Sequence, residues 1–154
     1  MDANHPLARK LLQAFDAPVR AVHDGTLSLT ALGDAAELRP VADALIARGW
    51  LRPARDADSY IRTEDGRLAI AAASDVTLYT RPGCHLCEKA KADILPLLRR
   101  AGASLREVNI DADPVLRDRY NLDVPVIFLG ARKVAKYRVD LPQLKRQLDE
   151  ARGR

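Results

Sequence analysis

Apolar residues recur at helical spacing at the start of the chain, at Leu7, Leu11, Leu12 and Phe15. This predicts a first helix ending before Pro18, with Val19 and Val22 continuing it after a break. A second short helix fits Thr30 to Ala36. Pro40 suits the first turn of a third helix with Val41, Leu45 and Ile46 on its apolar face, and Gly49 is placed to stop it. Trp50 and Leu51, a polar turn at Asp56 to Ser59, and Tyr60 to Arg62 then read as a hairpin. Thr63 is a suitable N-cap for a helix from Glu64 to about Ala73, with Glu64 and Asp65 in its first turn and Gly66 weakening it.

The pattern changes after Asp75. Val76, Leu78 and Tyr79 make a buried strand, followed by a helix from Cys84 to about Arg100 with Cys87, Ala90, Ile94 and Leu97 along one side. Pro96 is expected to kink that helix or end its first section. Leu105 to Ile110 makes a second strand, and Pro114 opens a short helix with Leu116 and Tyr120 facing inward. Val124 to Leu129 and Lys133 to Tyr137 form an antiparallel pair around Gly130-Ala131, and a last helix runs from Leu141 or Pro142 to about Ala151. The order is βαβαββα.

A chain of 154 residues accommodates one domain or two small ones. The change of pattern places a boundary near residues 71–75, giving modules at 1–73 and 74–154, joined by a stretch too short and too helix-compatible to be a free tether. No apolar run is long enough to cross a bilayer, no membrane partner is expected, and the polar breaks at Arg9, Lys10, Gln13 and Asp16 do not suit a secretory core, so a cytoplasmic location is expected.

The net charge is +4, and it is unevenly distributed. Residues 1–73 hold nine Lys or Arg against ten Asp or Glu, whereas residues 74–154 hold sixteen against eleven. A strong nucleic-acid surface on the first module is therefore not expected.

Cys84 and Cys87 are the only cysteines. Two residues apart, after a strand and a Pro82-Gly83 turn and at the start of a helix, they have the form of a thiol–disulfide redox site. Unpaired N–H groups and a partial positive charge at the helix start favour a thiolate at Cys84, the expected nucleophile. Arg81 and His85 could add positive charge or be solvated loop residues, and Cys87, one turn on, is the expected resolving thiol. Two cysteines supply half of a tetrahedral zinc set, and no second CxxC or paired His completes it, so no metal site within one chain is expected. His5 and His23 lack a ligand partner at a recognisable spacing.

Two resemblances follow from these stretches. Helices followed by a hairpin, with the run ALIARGWLRPARDADSYIRTEDGRLA, resemble a winged-helix domain. Such domains often bind DNA through the third helix and the wing. Here that helix offers mainly Arg39 and Arg48 around Asp43, and the wing tip carries Asp56 and Asp58, so a structural or protein-interaction role is expected instead.

VTLYTRPGCHLC, VNIDADPVLRDRYNLDVPVIFLGARKV and RVDLPQLKRQLDE resemble the glutaredoxin-like branch of the thioredoxin-fold family. The resemblance implies an α/β fold with a thioredoxin-like (βαβαββα) C-terminal domain behind a small, mainly α, winged-helix-like N-terminal domain. It also implies dithiol–disulfide exchange on a disulfide-bearing protein or glutathione. Arg81 would meet a glutathione carboxylate, Pro125 would be the family's cis-proline beside the cysteines, and the Val124 backbone would pair with substrate. No resident cofactor is implied, and glutathione is one candidate reductant. The family has Pro-Tyr between its cysteines and a Gly-Gly pair before an Asp; this chain has His85-Leu86 and, before Asp140, Ala135-Lys136. Side chains at 135 and 136 crowd a backbone the family brings close to glutathione, so a carrier served by another reductant fits equally well. A redox-sensing regulator that signals through the first module is the alternative function.

Overall fold

A computed structural model of the chain describes residues 2–17, 22–23, 25–33 and 35–153. It divides the chain into two units, Met1–Ala71 and Ala72–Arg154. Each has its own four-stranded sheet.

In the first unit, α1 spans Pro6–Gln13 and buries Ala8, Leu11 and Leu12, the face its spacing predicts. Val22 does not continue that helix: it lies in β1 (Val22–His23), opposite Leu27 of β2 (Thr26–Ser28), with Gly25 at positive φ in the turn. Val19 lies outside the described residues. The second helix is also shorter than expected. Ser28 caps α2 (Leu29–Leu32) and Gly33 in the left-handed conformation stops it, so residues from Ala35 on join α3 (Ala35–Ala47).

Pro40 therefore sits inside α3 and not in its first turn. Its missing N–H would have met the Ala36 carbonyl, and both residues are exposed, so the helix tolerates the proline on its solvent side. β3 (Leu51–Pro53) and β4 (Ser59–Arg62) complete an antiparallel sheet of order β1-β2-β4-β3. Thr63 caps α4 (Glu64–Ala69), its hydroxyl accepting the Gly66 N–H at 3.1 Å. This helix ends four residues before Ala73, where Ile70 turns to pack on the first core with Trp50.

The second unit has the order βαβαββα. β5 (Val76–Thr80) pairs in parallel with β6 (Leu105–Asn109) and antiparallel with β7 (Val126–Leu129), which pairs antiparallel with β8 (Arg132–Lys136). The sheet order is β6-β5-β7-β8. One face packs Leu78 and Ile127 against Ile94 of α5 (His85–Ala101) and Leu148 of α7 (Leu141–Ala151). On the other, Tyr79, Phe128 and Tyr120 of α6 (Pro114–Tyr120) form an aromatic cluster, with ring centroids 5.0 to 6.5 Å apart.

Three boundaries differ from expectation. α5 runs unbroken through Pro96, because the Ala92 carbonyl it leaves without an amide partner is on an exposed stretch. β7 begins at Val126 and not at Val124, since Pro125 has no N–H for the ladder. β8 ends at Lys136, before Tyr137 turns to φ 63°. No described helix is long and apolar enough to cross a membrane.

Candidate redox site

The site is built at the end of the central strand β5. Pro82 and Gly83, the latter at φ 74°, turn the chain so that Cys84 becomes the N-cap of α5. Only glycine takes that φ freely. The Cys84 sulfur accepts the Cys87 N–H at 3.2 Å, in the place a capping hydroxyl usually takes. Cys84 and Cys87 are paired as a disulfide, with Cα atoms 5.2 Å apart. Their surroundings differ: Cys84 is half-buried, while Cys87 is 1% exposed. Between them, His85 and Leu86 point to solvent, Leu86 with 47% of its surface exposed.

β7 supplies the second wall. Tyr79 lies opposite Val126 in antiparallel register, so the chain just before Val126 flanks the chain just after Tyr79. That places Val124 and Pro125, both buried, beside the turn that carries Cys84, and the bond between them is cis. Among the described residues neither the N–H nor the carbonyl of Val124 has a hydrogen-bond partner. The Pro125 carbonyl accepts the Tyr137 N–H at 2.9 Å.

Arg81 is at the turn, but its donors are already engaged. Its guanidinium reaches Asp111 at 2.6 and 3.3 Å, and the side-chain and backbone oxygens of Asn121 at 2.8 and 3.0 Å. One side chain thus ties the turn after β5 to the segment after β6 and to the end of α6. The hydrogen bond from Arg81 holds the Asp111 carboxyl below its ordinary range, and the same bond raises Arg81. Among the described residues no three His, Cys, Asp or Glu side chains are grouped as a metal site.

Sequence reasoning missed the residues that fix these loops. Asp111 and Asn121 meet Arg81 only through the fold. Asp123 accepts the Tyr137 hydroxyl at 2.8 Å, a bond that raises the Tyr137 pKa ahead of the smaller effect of burial. Tyr137 directly follows the Ala135-Lys136 pair that departs from the glycine pattern. Its position was therefore marked in the sequence, but its contacts were not.

Comparison with known proteins finds relatives of the second unit. Residues 75–149 match the Glutaredoxin-like domain family (DUF836). A Glutaredoxin-like protein of Dictyostelium discoideum is 31% identical over 81 residues, covering 49% of this chain and 75% of the relative. Among solved structures, protein XcR50 from X. campestris is 35% identical over 49% of this chain and 96% of its own, with a TM-score of 0.39. Protein Ne2328 from Nitrosomonas europaea is 30% identical over 51% of this chain and 86% of its own, with a TM-score of 0.40. With a relative 31% identical and matched over three quarters of its length, and a family match over residues 75–149 that includes Cys84 and Cys87, the chain belongs to the glutaredoxin-like (DUF836) family.

Proposed function

We propose that the second unit performs thiol–disulfide exchange through Cys84 and Cys87. The observation that carries this reading is the asymmetry of the pair: Cys84 caps a 17-residue helix at a half-buried position, and Cys87 lies buried one turn further on. In the dithiol form, the helix start and the N–H of Cys87 favour the Cys84 thiolate. That thiolate attacks one sulfur of a substrate disulfide, forming a mixed disulfide and releasing the other substrate sulfur as a thiolate. Cys87, as its thiolate, then attacks the Cys84 sulfur and releases the second substrate thiolate, leaving the Cys84–Cys87 disulfide. Two electrons pass to the substrate, and its two thiolates take up the two protons that the cysteines released.

Regeneration needs a thiol reductant. Glutathione and a protein dithiol are both candidates, and the side chains of Ala135 and Lys136 favour the second. Arg81 contributes positive charge at the turn while held by Asp111 and Asn121, and His85 lies exposed between the cysteines on the side open to a substrate. Val124, with its backbone groups open and Pro125 behind it, offers pairing to an extended substrate segment.

The test is trapping. A reduced Cys87→Ser variant mixed with a disulfide substrate should accumulate an adduct at Cys84, seen by mass spectrometry, and a Cys84→Ser variant should not. Absence of any adduct at Cys84 would sink the exchange reading.

We further infer that the first unit is winged-helix-like, on its order α1, β2, α2, α3, β3, β4 and its strand order β2-β4-β3. A protein-interaction role fits it better than DNA binding. Arg39 is ion-paired with Asp58 at the hairpin, so its charge is already matched there, and Arg48 lies over the Trp50 ring at 5.0 Å. A gel shift of either redox form on mixed DNA fragments at low salt would overturn that choice.

A further inference from the structure

We propose that the outer edge of β8 is a docking strip for the protein substrate of the disulfide site, and that the substrate segment it takes is extended and acidic. This rests on the exchange reading above and names the class of protein served. β8 is the terminal strand of its sheet, and among the described residues its outer side has no partner except at Lys136, where the chain folds back and Arg138 forms a single antiparallel bridge. Arg132, Lys133 and Lys136 on the strand and Arg138 just beyond it are all exposed. Among the described residues, none of the four has a carboxylate at ion-pair distance. The carboxylates nearest in sequence are engaged elsewhere: Asp123 with the Tyr137 hydroxyl, and Asp140 as the N-cap of α7. Lys133 stands 5.6 Å from the Tyr120 ring.

The strip leads to the cysteines. It runs into Tyr137, whose N–H binds the carbonyl of Pro125, and Pro125 belongs to the loop that flanks the turn of Cys84. At that end the exposed surface becomes apolar, with Tyr137 at 41%, Leu122 at 81% and Leu86 between the cysteines. An occupant matched to both parts carries an apolar residue near its cystine and acidic residues along a strand added to β8. Four like charges on an open edge repel a second copy of the same edge, so self-pairing is disfavoured. An oppositely charged strand meets no such barrier, and charges within about 8 Å act at physiological salt.

The test uses the full chain, dithiothreitol as the reductant with the uncatalysed rate subtracted, and three substrates: a disulfide-cyclised peptide flanked by Glu, the same peptide flanked by Lys, and the small neutral bis(2-hydroxyethyl) disulfide. At low salt kcat/KM should favour the Glu peptide by about tenfold or more, and the preference should shrink as salt rises. The R132E/K133E/R138E variant should reverse the preference while turning over the neutral disulfide at the wild-type rate. A milder R132Q/R138Q variant, which leaves Lys133 by the Tyr120 ring and Lys136 at 5.3 Å from the Tyr137 ring, should lower kcat/KM for the Glu peptide several-fold. Equal rates for both peptides in the wild type, or an unaltered preference in the milder variant, overturn the strip. No turnover of the neutral disulfide overturns the exchange reading instead. Fluorescence anisotropy of the labelled peptides on the oxidised protein then decides the strip alone: tighter binding of the Glu peptide supports it, and equal or absent binding overturns it.

Discussion

At the scale of single residues, what the chain tolerates is decided by contacts that local sequence does not show. Gly66 weakens a helix prediction by propensity alone, yet in the fold it is the residue α4 needs. A Cβ there would stand 2.1 Å from the backbone oxygen of Trp50, which cannot swing away as a flexible side chain could. That same oxygen accepts the Thr63 N–H at 3.0 Å, just before the helix begins. Gly66→Ala should therefore destabilise the first unit by about 1–3 kcal/mol, although alanine is the better helix former. Urea unfolding followed by Trp50 fluorescence measures this, and a gain in stability would refute the close approach. Cys84 is the opposite case. Its spacing, the preceding Pro82-Gly83 turn and the following apolar periodicity are all local, and the structure has it at the helix start that those signals mark.

At the scale of elements, long periodic segments were legible and short ones were not. α5, α7 and β5 each carry enough apolar positions to fix their type and buried face. β1, with two residues, and β2, with three, are too short to display alternation, and Val22 reads equally well as helix until Leu27 appears opposite it. Ties between elements were invisible for the same reason that the Arg81 contacts were: the partners are far apart in sequence. Arg62 of β4 is an instance. Its side chain is 7% exposed, donates to the Leu12 carbonyl at 2.8 Å and holds Asp16 through two bonds of 2.7 Å, joining the sheet to the end of α1. Arg62→Ala should cost about 2–3 kcal/mol, read from the same urea midpoint. The bond from Arg62 keeps the Asp16 carboxyl below its ordinary pKa, against a smaller opposing effect of burial. A depressed folded-state pKa means stabilisation that is present above the unfolded value and lost as pH falls through the folded one. The first unit should lose stability on acidification below about pH 4, and Arg62→Ala should flatten that slope. Because half of Asp16 is open to solvent, added salt should weaken the effect.

At the scale of the whole molecule, the disulfide must be weighed as chemistry or as a staple. The two units have separate cores, and the only tryptophan, Trp50, packs on the first, while the cysteines belong to the second. Cys84 and Cys87 are three positions apart, so their bond closes a very short loop. The chain-entropy relation gives such a loop about 2 kcal/mol of stabilisation at most, near the bottom of the usual range. After reduction, Cys87 remains a small apolar residue in a buried position, and Cys84 keeps a capping sulfur at the head of α5. Neither core loses a contact between elements. Reduction should therefore lower the stability of the second unit by no more than about 2 kcal/mol and leave the Trp50 transition where it was. Paired urea titrations of the oxidised and reduced protein, read by far-ultraviolet circular dichroism and by Trp50 fluorescence, separate the two units. Loss of the second unit's secondary structure on reduction would make the bond a staple, and a dithiol form unable to stay folded could not carry electrons to a substrate. Retention of that structure is the condition under which the helix start can hold a thiolate at Cys84 and the exchange can turn over.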